Sequence, residues 1–203
     1  MLATIAILGA TVLATVGLLP QVAKLLRTRI PDGVSATWAG FGVVTNVAWA
    51  AYLAAQALWL AVPSVVMIIA GYGATFILLR GLGTRVARAV GLAAIWGAAL
   101  AVGGVLTGWT GLGTILGFSY TIQVLPGIWV AYRTPRPQGI APATWVITLI
   151  EGLLWGYYGW WHGDDPLMVY AVIATLASLS MLGRSVATRG QGFEPDGPVT
   201  VTP

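Results

Sequence analysis

The chain contains no cysteine in its 203 residues. That excludes a disulfide framework, a thiolate metal site and a cysteine nucleophile, and it leaves the redox compartment open. His162 is the single histidine and lies beside Asp164 and Asp165, too little to make a metal site. Lys24 is the single lysine, which excludes a retinal-type receptor with its lysine in the last helix. No Gly-rich phosphate loop stands in strand–helix context and no nucleophile–base pair is present. No enzyme activity, cofactor or metal is expected. Charge is scarce as well: charged residues are 8% of the chain and apolar ones 58%, against roughly 25% charged in a typical soluble domain. So few charges cannot clothe a water-facing surface, and the solvent for most of the chain is lipid. The net charge of +4 does not indicate nucleic acid, because the basic residues sit at the ends of apolar runs and form no single patch.

What is present is a series of long apolar segments. A spanning helix needs about 20 mostly apolar residues. Residues 2–23 supply one. Residues 34–79 carry no charge and hold two, with a break near Gln56 and Pro63. Residues 89–132 hold two more, broken around Thr107-Gly108-Trp109-Thr110-Gly111, and 141–161 and 166–183 supply a sixth and a seventh. Met1-Leu2-Ala3-Thr4 carries no basic stretch ahead of the first apolar run, and the charges Lys24, Arg27 and Arg29 follow it. That polarity predicts a retained helix with its N-terminus outside. One face then receives every basic residue: Lys24, Arg27, Arg29, Arg80, Arg85, Arg88, Arg133, Arg136, Arg184 and Arg189. The opposite loops hold His162, Asp164 and Asp165. The split predicts a multi-pass protein of the cell (plasma) membrane with a cytoplasmic C-terminus.

Two stretches repeat each other about 106 residues apart. Arg27-Thr28, Pro31-Asp32-Gly33, Thr37-Trp38, Trp49 and Tyr52 recur as Arg133-Thr134, Pro137-Gln138-Gly139, Thr144-Trp145, Trp155 and Tyr158. Leu19-Pro20-Gln21 recurs as Leu125-Pro126-Gly127. Duplicated apolar halves are how many transporters build a central site. The expected fold is therefore an all-α membrane protein, with seven transmembrane helices arranged as two parallel three-helix bundles joined by a linker helix. The expected units are 1–80 and 108–185 for the bundles, 81–107 for the linker with helix 4, and 186–203 for a disordered cytoplasmic tail rich in Gly and Pro. Gly91, Ala94, Ala98, Ala101 and Gly104 give the linker helix a small-residue face suited to close packing in lipid.

The repeat also nominates site residues. Thr45, Trp49 and Tyr52 share one helical face, as do Glu151, Trp155 and Tyr158. Trp and Tyr rings suit stacking on a small polar solute, whereas Trp59, Trp160 and Trp161 near helix ends read as an interfacial belt. Glu151 is the ionisable side chain well inside a span, and its mate is Thr45. Such a residue normally faces protein or water, as a proton site, as a recogniser of a cationic or hydroxyl-rich solute, or as a protonated acid bonded to a neighbouring helix. Asn46, Ser119, Tyr120, Thr121 and Gln123 add polar capacity. Pro20 and Pro126 end helices 1 and 5 near the basic face and are candidate hinges.

Leu19-Pro20-Gln21-Val22, followed by Arg27-Thr28 and Gly33-Val34-Ser35, resembles the PQ-loop signature of the SWEET, SemiSWEET and cystinosin-type transporters. Trp49-Ala50-Ala51-Tyr52 and Trp155-Gly156-Tyr157-Tyr158-Gly159 resemble that family's Trp-x-x-Tyr-Gly element. The resemblance implies two triple-helix bundles, a solute pocket near the membrane centre and alternating access by rocking about Pro20 and Pro126. It also implies Trp49 and Trp155 flanking the solute, with Gln21 as the motif glutamine. The chain departs from the pattern at Gly127, which replaces the second glutamine. It departs again at Ile68 and Ala171, which stand where SWEET-type sugar pockets carry asparagine. The expected function is transport of a small polar solute, with sugar first. A proton-coupled amino-acid or small-metabolite carrier using Glu151 is one alternative, and a non-transporting receptor or scaffold is another. The expected partners are a small-molecule solute and the lipid bilayer, with no nucleic acid. Oligomeric state is left open, a homo-oligomer included.

Overall fold

The computed structural model describes residues 2–55, 59, 62–163 and 165–189, and among them every regular element is a helix. The helices are α1 (Leu2–Val16), α2 (Leu19–Thr28), α3 (Ala36–Ala55), α4 (Val62–Gly81), α5 (Ala87–Arg133), α6 (Pro142–His162) and α7 (Asp165–Arg189). Five helical stretches are long and apolar enough to cross a membrane: Leu8–Thr28, Ala36–Ala55, Val62–Gly81, Ala87–Arg133 and Met168–Thr188. α6 is not among them, although residues 141–161 were expected to span. It carries Glu151 and much of its length is Trp, Tyr and Gly, which count little on a hydropathy scale.

Polarity is inverted relative to a water-soluble domain. Ile77, Ile95, Val105, Leu106, Val172 and Leu176 lie on the outside, while Gln21, Thr45, Asn46, Thr75, Gln123 and Glu151 are buried. Apolar side chains cost nothing against lipid, and polar ones find partners inside the bundle. This is a multi-pass membrane protein.

α5 is 47 residues long, which as one rod would measure about 70 Å, over twice a hydrocarbon core of about 30 Å. It is not one rod. Gly108 has φ 69 and ψ −171, a conformation open essentially to glycine alone. The chain folds back there: a Cβ on Gly103 would lie 2.8 Å from Ile115, and one on Gly104 would lie 3.4 Å from Leu112. Two antiparallel limbs, 87–107 and 109–133, result. The sequence placed this break correctly at 107–111.

α1 packs on α4 and α6, α3 on α4 and α5, and α7 on α5 and α6. The order α1–α4–α3–α5–α7–α6 closes into a ring. The first limb of α5 lies against α3, where Trp96 Nε1 donates to Thr45 Oγ1 at 2.9 Å and Ala93 meets Gly40. Its packing face is Ala89, Ala93, Trp96, Gly97 and Leu100. The expected small-residue face is offset around the helix: Gly91, Ala94, Ala98 and Ala101 are exposed, and Gly104 alone among those five packs, against the second limb.

Neither proline ends its helix. α2 continues beyond Pro20 to Thr28, and α5 continues beyond Pro126 to Arg133. Pro20 is tolerated because it sits in the first turn of α2, where a missing N–H costs no helical bond. The break between α1 and α2 falls at Gly17-Leu18. Arg184 holds the far end of α5, donating to Ala131 O at 3.1 Å and Thr134 O at 2.7 Å, which satisfies carbonyls that a helix end leaves open. α7 runs on to Arg189, so 186–189 belong to the helix. The rest of the expected tail, 190–203, lies outside the described residues, as do the expected break at Gln56 and the loop residue Asp164.

The loops that close the basic end of the bundle are the repeated Pro-x-Gly segments, and they touch each other. Gly139 N donates to Asp32 O at 2.8 Å. Behind them Leu25, Leu79, Ala131, Ile140 and Trp145 form a buried plug.

Candidate functional site

Inside the ring lies a cavity of about 80 Å³. That holds several water-sized spheres, since one needs roughly 10–15 Å³. Its walls come from α1, α3, α4, the second limb of α5, α6 and α7, and from the Gly17-Leu18 break. The first limb of α5 contributes nothing.

Of the residues expected at the site, Thr45, Asn46, Trp49, Gln123 and Glu151 line the cavity, while Trp155, Tyr52 and Tyr158 do not. The reason for Trp155 is local. Its Nε1 donates to Glu151 Oε1, one turn back on α6, at 3.2 Å, and this bond holds the indole along its own helix. On α3 the equivalent position is Thr45, whose hydroxyl accepts from Trp96 instead, and Trp49 is left to face the cavity. Tyr52 covers Gly113 and meets Trp49 edge-on at 5.7 Å. Tyr158 meets Trp155 edge-on at 6.1 Å.

The pocket has further walls beyond the residues nominated from the sequence. Trp38 and Trp145 are repeat mates, 6.0 Å apart between ring centroids, and both line the cavity. So do Tyr72 of α4 and Tyr170 of α7. Ile68 also faces the cavity, whereas Ala171 is buried against Gly156. Near each of these two positions the helix delivers a phenol: Tyr72 one turn beyond Ile68, and Tyr170 just before Ala171. Tyr72 reaches in because α3 carries Gly42 at the crossing, where a Cβ would lie 2.4 Å from the phenol ring. Tyr72 and Tyr170 have no repeated counterpart among the aligned motifs, so repetition could not reveal them.

Several polar atoms around the cavity are already engaged. Asn46 Nδ2 donates to Gly42 O at 2.8 Å, Gln123 Nε2 to Tyr72 Oη at 2.7 Å, and Ser119 Oγ to Leu116 O at 2.6 Å. Tyr170 Oη donates to Glu151 Oε1 at 3.4 Å. Two atoms of lining residues stand buried without a partner, Trp38 Nε1 and Thr144 Oγ1. Buried polar groups are normally paired, and an exception calls for an account. Tyr72→Phe should destabilise the fold by about 1–3 kcal/mol, because it strands the Gln123 amide N–H in a buried site. Thermal unfolding in detergent checks this, and an unchanged midpoint would mean that the amide finds another acceptor.

Gln21 does not line the cavity but binds the loop that leads into α6. Gln21 is 2% exposed, donates from Nε2 to Gly139 O at 2.9 Å and accepts from Ala141 N at 2.9 Å. Both ends of one amide thus grip the loop that leads into α6. Lys24 Nζ donates to Ile140 O beside it. The mate of Gln21 is Gly127, where a Cβ would lie 3.2 Å from the Trp38 ring. The second half trades the clamp for a tryptophan contact. The chain matches no protein-family model, no curated protein and no solved structure.

Proposed function

We propose that this multi-pass membrane protein is a carrier of a small polar solute, working by alternating access between two triple-helix bundles, 1–80 and 108–185. The limb 87–107 joins them as a fourth crossing. The observation that carries the reading is the cavity walled by both repeats and by no residue of the joining limb. The closed helix order supports it, since each half sets its third helix between its first and second, and the halves meet through α1 on α6 and α3 on α5. The plug and the touching Pro-x-Gly loops make the basic end the closed gate of this conformation. On the charge pattern that end faces the cytoplasm of the plasma membrane.

The resemblance to SWEET-type carriers supports sugar as the first cargo to test. At about 80 Å³ the cavity is well short of the roughly 300–1,000 Å³ typical of small-molecule pockets, and a sugar would enter only as the bundles part. The buried, cavity-lining Glu151 favours the second reading, a small metabolite whose movement is coupled to this carboxyl group.

The test is uptake of labelled sugars and small metabolites into proteoliposomes, with and without an inward proton gradient. Saturable uptake of any of them establishes a carrier. Sugar uptake indifferent to the gradient reduces Glu151 to a structural role, and absence of all flux sinks the reading. The cysteine-free background allows a direct check of gating. A Cys pair at Asp32→Cys and Gln138→Cys, joined across the contacting loops, should stop flux, and cleavage of the link should restore it. Full flux with the link intact would mean that the basic end is not a gate.

A further inference from the structure

We propose that the cavity is a binding site for a small organic ammonium ion, its charge met by Glu151 and its methyl groups by aromatic ring faces. The inference rests on the reading of this cavity as the solute site and names the class of solute.

Charge comes first. Among the described residues Glu151 is the sole charged one on the cavity wall, and no lysine or arginine lines it. Its partners among the described residues are two neutral donors, the Trp155 indole and the Tyr170 hydroxyl, both on Oε1. A carboxylate in a membrane-buried space with no cation is poorly matched to its surroundings, and a cationic occupant removes the mismatch.

The walls come second. Six rings, Trp38, Trp49, Trp145, Tyr72, Tyr120 and Tyr170, line the same cavity as this carboxylate. Five of them stand in two groups: Trp38 meets Tyr72 edge-on at 4.9 Å and Trp145 at 6.0 Å, and Tyr120 meets Tyr170 edge-on at 5.2 Å. Aromatic faces attract a desolvated cation through the ring quadrupole, and cages of this kind recognise quaternary ammonium groups.

The experiment is equilibrium binding of radiolabelled choline to the purified full-length protein in detergent, with its neutral tert-butyl analogue as competitor. Choline should bind saturably, the neutral analogue at least about tenfold more weakly. Glu151→Gln should weaken choline at least about tenfold and leave the analogue unchanged. Trp49→Leu, which replaces a half-buried ring with a smaller apolar side chain, should weaken choline as well, and it serves if Glu151→Gln fails to fold. Equal binding of the neutral analogue, undiminished binding by both variants, or competition by sodium as effective as choline would each overturn the proposal. Uptake into proteoliposomes separates the two claims. Choline bound, with neither it nor any other solute moved, leaves the ammonium site standing and sinks the carrier; labelled sugar moved and unaffected by choline does the reverse.

Discussion

Gly33→Ala is expected to lower stability by about 2–5 kcal/mol, a large share of the roughly 5–15 kcal/mol typical of a folded domain. Two costs add. Gly33 has φ +82, and a left-handed backbone costs a residue with a Cβ roughly 1–2 kcal/mol. The new methyl would also stand 2.3 Å from Pro137 Cβ and 2.8 Å from Pro137 Cα. That clash is with a rigid ring and its backbone, so the loops must part, at the roughly 1–3 kcal/mol of an overpacked core. Gly83→Ala separates the two terms. Gly83 has φ +89 but nothing within 4 Å of its Cβ position, so it should show the backbone cost alone. Unfolding in detergent of both variants decides the matter. Equal losses would mean that the loops are free to separate and that the Gly33–Pro137 contact contributes nothing.

Gln21→Leu should act on the conformational equilibrium more than on the fold. Leucine keeps the bulk but abandons Gly139 O and Ala141 N, the two backbone groups that the amide holds. Each buried group left unpaired costs about 1–3 kcal/mol, so the closed seam loses roughly 2–6 kcal/mol. Two conformations of a protein commonly differ by a few kcal/mol, and parting the loops lets water reach both orphaned groups. The closed state should therefore give way before the bundle melts. A Val34→Cys reporter, 8% exposed in the closed seam, should react with a maleimide at least about tenfold faster in the Gln21→Leu background. An unchanged reaction rate with a lowered melting point would make Gln21 a fold-stabilising residue with no part in gating.

How far these features were legible in the sequence depends on whether their cause is local. The chain reversal within residues 107–111 was readable because Gly108 alone can take the required angles. Thr45 and Trp49 were readable as one face of α3, and Glu151 as an ionisable group on the matching face of α6, and the structure brings these three to one cavity. Where a residue's placement depends on a neighbour on its own helix, the repeat misled: Trp155 resembles Trp49 in frame but is held by Glu151. The prolines were over-read as terminators, because the sequence does not show that Gly17-Leu18 supplies the break and leaves Pro20 in a permissive first turn. Tyr72 and Tyr170 were not legible at all. Tyr72 enters the cavity because Gly42 yields space on a different helix, a condition set by helix crossing and invisible to spacing along one segment. The grip of Gln21 on residues 139 and 141 is tertiary in the same way, since nothing in the sequence around Gln21 names its partner.

The reversal at Gly108 has a consequence of parity. Three crossings of a bilayer leave a chain on the side opposite its start, so two three-helix units fused head to tail would insert upside down relative to each other. In the arrangement proposed above, the limb 87–107 is one added crossing that brings the second unit back to the orientation of the first. On the proposed topology, deleting that limb would send Arg133, Arg136 and Arg184 to the face opposite Lys24, Arg27 and Arg29, against the sidedness that their charge dictates. The limb that touches no solute would then be what makes the two halves able to share one.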